Sequence, residues 1–521
     1  MTSAEGALIH SSPLGDFDVP DVLITDMVLR HVDALADKPA IVDAPTGRTI
    51  TYGQLDESVR RFAGGLVARG FGPGDVLAVM APNCPEYAIV FLGVAYAGGT
   101  ITTVNPSYTE REVRHQLDDA QPSLMIVTSA FVDTARAAAE GGSVREFFLL
   151  DDAEGAPCFT ELYGDALAAP VEVPLDAPVA IPYSSGTTGL SKGVVLTHRN
   201  LVVNVLQTVP PLDLVADDVV IAVLPFFHIY GMQVIMNVTF AVGGTIVTMP
   251  RFDLEGFLRA HQEHGITRSY VAPPIAVQLA KQPMVDDFDL SAVKQVFSGA
   301  APLSAEVQQE IEARLGCKVE QGYGMTELSG ASHVTPRTGC KQGSVGVTVP
   351  NAQTMIVDPA TGQSLGFGVD GEVWVRGAMV MRGYLNNPEA TAATIDDDGW
   401  LHTGDIGHVD DDGHLYIVDR LKELIKYKAW QVAPAELEAV LLTHPAVADA
   451  AVIGEPDDEA GEIPIGFVVL KADAVATDAE ILSYVAGQVA GYKQLRKLTF
   501  IETVPKSPSG KILRRVLRDQ R

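Results

Sequence analysis

From Thr51 onward the apolar positions follow two alternating rhythms. QLDESVRRFAGGLVARG places apolar residues at helical spacing, VLAVM is an uninterrupted apolar strand, and EYAIVFLGVAYAGG reads as a mostly apolar helix. TITTV, TEREVRHQLDDA and LMIV continue the alternation, which predicts a parallel-rich α/β layer. VVIAVLPF, GGTIVTM, LEGFLRAHQEHGI and SYVAP repeat it, predicting a second layer of similar make. Between about residues 343 and 418 the texture changes to short strands and Gly/Asp turns (TMIVDP, GEVWVRG, DDDGHLYIVD), a small β-rich region. The charged, turn-like DRLKELIKYKAW then leads into AELEAVLLTHP, DAAVIG, GFVVLK and AEILSYVAGQVA, a compact run of domain size. A boundary falls near Arg420 to Lys422, with Lys422 the hinge candidate. The expected class is therefore α/β: residues 1–420 as two layered α/β subdomains plus the β-rich one, then a small α+β domain over 421–521.

One stretch stands outside these patterns. SSGTTGLSKG, from Ser184 to Gly193, concentrates small donors and one cation, a composition suited to an anion because glycine lets backbone N–H groups come close. It does not match the nucleoside-triphosphate loop G-x-x-x-x-G-K-[ST]: counted from Gly186, Ser191 and Gly193 fall on the wrong positions. A plain flexible linker has the same composition. The strand-like VVLTHRN follows at once, however, so the loop is short and anchored between ordered elements.

A net charge of −29 argues against nucleic acid as a partner, since a backbone-binding surface needs a basic face. The segment from Tyr492 to Arg521 is locally basic, which suits either solvation or an anionic substrate in a cleft. Cys84, Cys158, Cys317 and Cys340 lie far apart without a C-x-x-C pair, as expected of buried thiols in a reducing compartment. No apolar stretch is long enough to span a bilayer and the N-terminus has no signal pattern, so a cytoplasmic protein without integral membrane association is expected, monomer or homodimer.

Four further stretches, QGYGMTE (321–327), GWLHTGDIG (399–407), DRLKELIKYK (419–428) and PKSPSGK (505–511), stand with the loop in one order. Together they resemble the adenylate-forming superfamily of acyl-CoA synthetases, luciferases and peptide-synthetase adenylation domains, over nearly the whole chain. FFHIYG, YVAPP and KELIKYK…QVAPAELE look most like its 4-coumarate–CoA ligase branch. The resemblance implies an active site between a large N-terminal domain and a small mobile C-terminal one. It implies ATP, Mg²⁺ and CoA as cofactors, and a small carboxylic acid as substrate.

Carried over residue by residue, it implies that Ser184, Ser185, Gly186, Thr187, Thr188, Gly189 and Lys192 hold the β- and γ-phosphates. Lys511 would bridge the attacking carboxylate and the α-phosphate, Thr326 would donate to that phosphate, and Glu327 would ligate Mg²⁺. Tyr323, within Gln321–Gly322–Tyr323, would stack on adenine, while Asp405 and Arg420 would hold the ribose. His228, as an aromatic gate, would line the acyl pocket with Tyr230, Tyr270, Phe297, Gly299, Ala300, Gly322, Gly324, Gly330 and Ala331. After a rotation about Lys422, Lys426 and Gln431 would replace Lys511 at the adenylate, with Lys428, Ala429 and Trp430 on the CoA side.

Two departures from the family pattern bear on specificity. Plant coumarate ligases commonly carry Lys where this chain has Phe297, and Pro-Val where it has Gly330-Ala331, which favours a broader, more apolar acid. Ala429-Trp430 replaces a glycine and a smaller aromatic, where an added Cβ adds bulk beside the incoming thiol. The expected function is an ATP-dependent carboxylic acid–CoA ligase on an arylpropenoic acid. A fatty acyl-CoA ligase, an amide-forming ligase, a non-catalytic nucleotide-binding relative and luciferase-type chemistry stay open at this point.

Overall fold

The computed structural model describes residues 8–151, 153–184, 191–336, 338–428, 430–457, 460–472, 474–507 and 510–519. Two large sheets dominate, and both carry the parallel core that the alternation predicts. The first runs, in spatial order, Gly383–Tyr384, Lys192–Thr197, Pro178–Ser184, Thr100–Val104, Val76–Met80, Leu124–Val127 and Glu146–Leu149. The second runs Val347–Thr348, Gly330–Val334, Lys318–Met325, Gln295–Ser298, Arg268–Val271, Val219–Ala222, Thr245–Thr248, Pro39–Asp43 and Thr49–Thr51. One apolar core, from Ile24 to Leu415, runs through the helices and faces of both.

The helix Tyr52–Ala68 starts where the chemistry puts it: Thr51 accepts from Gln54 N–H and the Gln54 side chain reaches back to the Thr51 N–H. Gly64 and Gly65 face the segment around Leu162–Asp165 so closely that an added Cβ would lie 1.8 Å from Asp165 O and 1.5 Å from Leu162 O respectively. The helix Pro85–Tyr96 buries nearly every side chain, which explains its lack of a polar face. No described helix is long and apolar enough to cross a membrane.

The β-rich region forms a separate sheet in the order Ile9–Ser11, Ala352–Val357, Gly371–Gly377, Leu401–Val409 and Leu415–Arg420. Beyond Arg420 the chain builds another sheet, Trp430–Val432, Ile425–Tyr427, Gly461–Leu470 and Val447–Asp457, with Lys497–Phe500 beside Gly461–Leu470. This sheet has its own apolar cores, one centred on Leu437, Val452 and Ile481 and one on Ile465 and Leu517. DRLKELIKYKAW therefore holds a short hairpin rather than turns alone. All four cysteines are free, but Cys340 is exposed and the others are half-buried, so the expectation of buried thiols is corrected.

Candidate active site

The strand Pro178–Ser184 ends at Ser184, opposite Lys192 on the returning strand. The expected phosphate donors Ser185, Gly186, Thr187, Thr188 and Gly189 lie outside the described residues. Ser184 Oγ donates to Glu327 Oε1 at 2.8 Å, and Tyr384 OH donates to the same oxygen at 2.9 Å. The Lys192 ammonium lies 4.6 Å from the centroid of the Tyr384 ring. Thr326 and Glu327 are buried in a short 3₁₀ turn after Met325. Glu327 Oε2 takes no hydrogen bond from any described residue, so one carboxylate oxygen is left for a ligand. One such hard oxygen beside phosphate donors fits Mg²⁺, which takes one or two carboxylates and completes its shell with water and phosphate. Among the described residues no cluster of three or more His, Cys, Asp or Glu could hold a metal alone.

Tyr323 and Asp405 meet across two sheets. The phenol donates to Asp405 Oδ2 at 2.6 Å, and Arg420 Nε lies 3.3 Å from Oδ1, as the register pairs Asp405 with Arg420. Burial and the Asp405 charge push the Tyr323 phenol well above its usual range, so it stays protonated and donates to Asp405. Asp405 and Arg420, expected to face ribose, thus pair with each other, and a ribose contact falls to their remaining lone pairs and donors. Gln321 is committed elsewhere: its amide accepts from Leu303 N–H and donates to Leu303 O, bracing the Gly299–Leu303 loop. Its side chain is thus engaged with that loop in this structure.

Lys511 enters this cleft from the C-terminal sheet. Its turn is closed by Ser507 N–H to Lys511 O and Lys511 N–H to Ser507 Oγ. Gly510, at φ +83°, packs against Ala272 and Pro274; a Cβ there would lie 2.9 Å from Ala272 Cβ. Arg514 holds the following helix by two 2.8 Å bonds to Glu438. Burial first, then the Arg420 charge, pushes the Lys511 ammonium down to about 8. Burial, with a smaller effect of Lys511, pushes the His228 imidazole down to about 4, so it is neutral, with Nδ1 accepting from Tyr230 N–H.

The acyl wall is mostly brought together. Tyr230 OH donates to Phe297 O, Tyr270 and Phe297 rings lie 5.6 Å apart, and the Gly299 and Gly322 positions press on the Tyr230 and Phe297 rings. Gly330, at φ +130°, faces Asn204, Gln233 and Val234, three residues that no local motif marks. Gly324 backs onto Gly330 O, and Ala331 is buried in the adjoining strand. Ala300 is corrected: it is exposed at the rim in a left-handed conformation, φ +73°, because the loop reverses there.

The other half of the expected set stays apart. Lys422 lies in the turn after the strand Leu415–Arg420. Lys426 is exposed on its hairpin and bonds none of the cleft residues, while Lys511 lies near Arg420 and Asp405, as expected before the rotation that would exchange the two. Lys428 is exposed at φ +53°, and Trp430, more than half exposed, stacks on Tyr492 at 4.7 Å. Ala429 and the Gln431 side chain lie outside the described residues. Tyr384 is the functional neighbour that sequence reasoning missed, since GYLNNPEAT carries no chemical signature by itself.

Residues 28–385 match the family model described as AMP-binding enzyme, and residues 436–511 match AMP-binding enzyme C-terminal domain. The chain is 43% identical to 4-coumarate–CoA ligase 2 of Oryza sativa subsp. japonica, covering 99% of this chain and 95% of that one. It is likewise 43% identical to 4-coumarate–CoA ligase 1 of Petroselinum crispum, covering 98% and 96%. Among solved structures, ATP-bound MatB from Rhodopseudomonas palustris superposes with a TM-score of 0.87 at 32% identity, covering 95% of this chain and 98% of that one. These matches, over nearly the whole chain, place it in the AMP-binding enzyme family of adenylate-forming enzymes.

Proposed function

We propose that the protein is an ATP-dependent, AMP-forming acid–thiol ligase that couples an arylpropenoic, cinnamate-like acid to CoA. The observation that supports it is the packing of Gly510, next to Lys511, against Ala272 and Pro274, which brings the Lys511 ammonium near enough to His228, Asp405 and Arg420 for their charges to act on one another across residue 421. In the first step a carboxylate oxygen bonds the α-phosphorus of ATP and pyrophosphate leaves. Two anions approach, so positioning and charge neutralisation carry most of the catalysis. Lys511 supplies the bridging cation, Thr326 a donor to the α-phosphate, and Tyr323 a face for adenine, while Lys192 and the Ser184 loop hold the outer phosphates. When bound at Glu327, Mg²⁺ offsets triphosphate charge.

In the second step the CoA sulfur bonds the acyl carbon and AMP leaves. We take 1–420 and 421–521 as the two moving units, with Lys422 the hinge; rotation withdraws Lys511 and brings Lys426 and Gln431 to the adenylate. Lys428, Ala429 and Trp430 then line the thiol path. Neutral His228 lies at the acyl carboxylate end and closes it as a flat, uncharged wall.

The test is pyrophosphate release across cinnamic, benzoic and fatty acids, each with and without CoA. Release with an arylpropenoic acid and formation of its CoA thioester is the expected result. Release without any thioester, but with amide formed from an added amine, would replace CoA by an amine acceptor.

Phe297 sets a finer expectation. Its ring is buried against Tyr270 and Gly322 and offers nothing to a phenolic hydroxyl, and the Tyr230 hydroxyl is already committed to Phe297 O; of Phe297, Tyr230 and Tyr270, only Tyr270 carries a hydroxyl without a partner among the described residues. A phenolic hydroxyl beside the Phe297 ring and out of reach of Tyr270 stays unpaired, which should give cinnamate about a tenfold higher kcat/KM than 4-coumarate. Phe297→Lys should reverse the order. A clear wild-type advantage for 4-coumarate would refute this account of the pocket.

A further inference from the structure

Tyr384 belongs to none of the motifs that mark the site, yet the fold sets it between two of them. Its two-residue strand pairs with the strand that follows the loop, Tyr384 opposite Val194 and Gly383 opposite Val195. Thr391 Oγ1 accepts from the Tyr384 N–H at 2.9 Å, and Asn386 Nδ2 reaches Asp119, so the backbone on both sides of the ring is anchored. From this seat the hydroxyl meets Glu327 Oε1 and the ring face meets the Lys192 ammonium.

The arrangement has a definite electrostatic consequence. Glu327 Oε1 accepts from two neutral donors, Ser184 and Tyr384, which fixes the carboxylate plane and leaves Oε2 without a hydrogen bond from any described residue. A cation held over a ring retains all three N–H donors for an anion, whereas a cation paired with a carboxylate spends them. The Tyr384 side chain touches both groups, its hydroxyl on Glu327 and its ring face on the Lys192 ammonium, and no ion pair joins Lys192 to Glu327 among the described residues.

We propose that Tyr384 is a positioning residue for the metal–triphosphate site, its hydroxyl orienting Glu327 toward the metal and its ring holding Lys192 apart from that carboxylate and open to phosphate. The inference rests on the adenylation reading above, and it assigns separate tasks to the hydroxyl and the ring. Two variants separate them. Tyr384→Phe keeps the ring and removes the hydroxyl; Tyr384→Leu removes both and lets Lys192 approach Glu327.

The readouts are Mn²⁺ binding to the enzyme–ATP complex, followed by electron paramagnetic resonance without any acid, and the Mg²⁺ and ATP dependence of acid-dependent pyrophosphate exchange. Tyr384→Phe should weaken Mn²⁺ binding and raise the half-saturating Mg²⁺ concentration by about tenfold, the usual worth of a hydrogen bond to a charged group. At saturating Mg²⁺ its turnover and its KM for ATP should stay near wild type. Tyr384→Leu should add about a fivefold rise in KM for ATP through the lost cation–ring contact. Wild-type Mn²⁺ affinity in Tyr384→Phe would overturn the hydroxyl's role, and identical ATP dependence of the two variants would overturn the ring's. Wild-type protein that binds Mn²⁺–ATP but shows no exchange with any acid would instead overturn the adenylation reading, leaving the Mn²⁺ comparison to decide the inference.

Discussion

Lys511→Ala is expected to lower acid-dependent ATP–pyrophosphate exchange by about 100- to 1,000-fold, the loss typical when a preorganised donor is removed from developing charge. Stability should hardly change. Among the described residues the Lys511 ammonium makes no ion pair, and its turn is held by backbone groups and Ser507, which the substitution leaves in place. The same residue gives a pH dependence with a definite sign. Burial and Arg420 disfavour the charged form and lower the pKa to about 8, so kcat/KM should fall as pH rises through that value and the bridging cation is lost. Bound triphosphate favours the cation, so the corresponding limb in kcat should lie at higher pH. Lys511→Arg, whose guanidinium stays charged, should carry its reduced activity to higher pH. Exchange within a few-fold of wild type in Lys511→Ala, with circular dichroism unchanged, would remove Lys511 from the catalytic set.

What the sequence made legible was local. The helical spacing after Thr51, the apolar strands and the Gly-rich turns near 343–418 each signal themselves within a few residues, and the structure forms them there. The site residues expected in advance, Ser184 and Lys192, Tyr323 to Glu327, Asp405, Arg420 and Lys511, came from the resemblance to a known family, which rests on contiguous runs such as QGYGMTE and PKSPSGK. Pairings between distant segments left no such mark. Ile9–Ser11 joins Ala352–Val357, Pro39–Asp43 joins Thr245–Thr248, and Gly383–Tyr384 joins Val194–Val195. A register is specified by which faces are buried in the finished sheet, and a strand of two or three residues carries too little alternation to declare its partner. Tyr384 was missed for that reason. Asn204 and Gln233 were missed for another: on an apolar helix and a π-helical segment they read as isolated buried amides. Only their convergence on Gly330 gives them a place in the pocket.

One methyl group at Gly324 should be nearly as damaging to activity as the loss of Lys511. An ideal Cβ there would stand 1.8 Å from Gly330 O, 2.7 Å from Gly330 C and 2.9 Å from Ala331 Cα. All three are backbone atoms, so no side chain can rotate away. The strands Lys318–Met325 and Gly330–Val334 would have to splay at the irregularity between Tyr323 and Gly324, where the ladder already shifts register. Glycine in a strand commonly marks such a close backbone approach. The displaced hairpin carries Tyr323 just before the glycine and Thr326–Glu327 just after it. Opening it therefore draws the phenol from Asp405 and the carboxylate from Ser184 and Tyr384 together. A misplacement on the order of 1 Å costs about 100-fold in rate, and overpacking of this kind costs about 3 kcal/mol of stability. Gly324→Ala should thus lose exchange activity about 100-fold, raise the KM for ATP, and unfold at lower denaturant. Gly491→Ala, whose added Cβ meets nothing within 4 Å, should change neither quantity. Exchange and a denaturation midpoint both at wild-type values in Gly324→Ala would show that the hairpin yields without moving the site, and the close approach at Gly330 would then have no part in placing Tyr323 and Glu327.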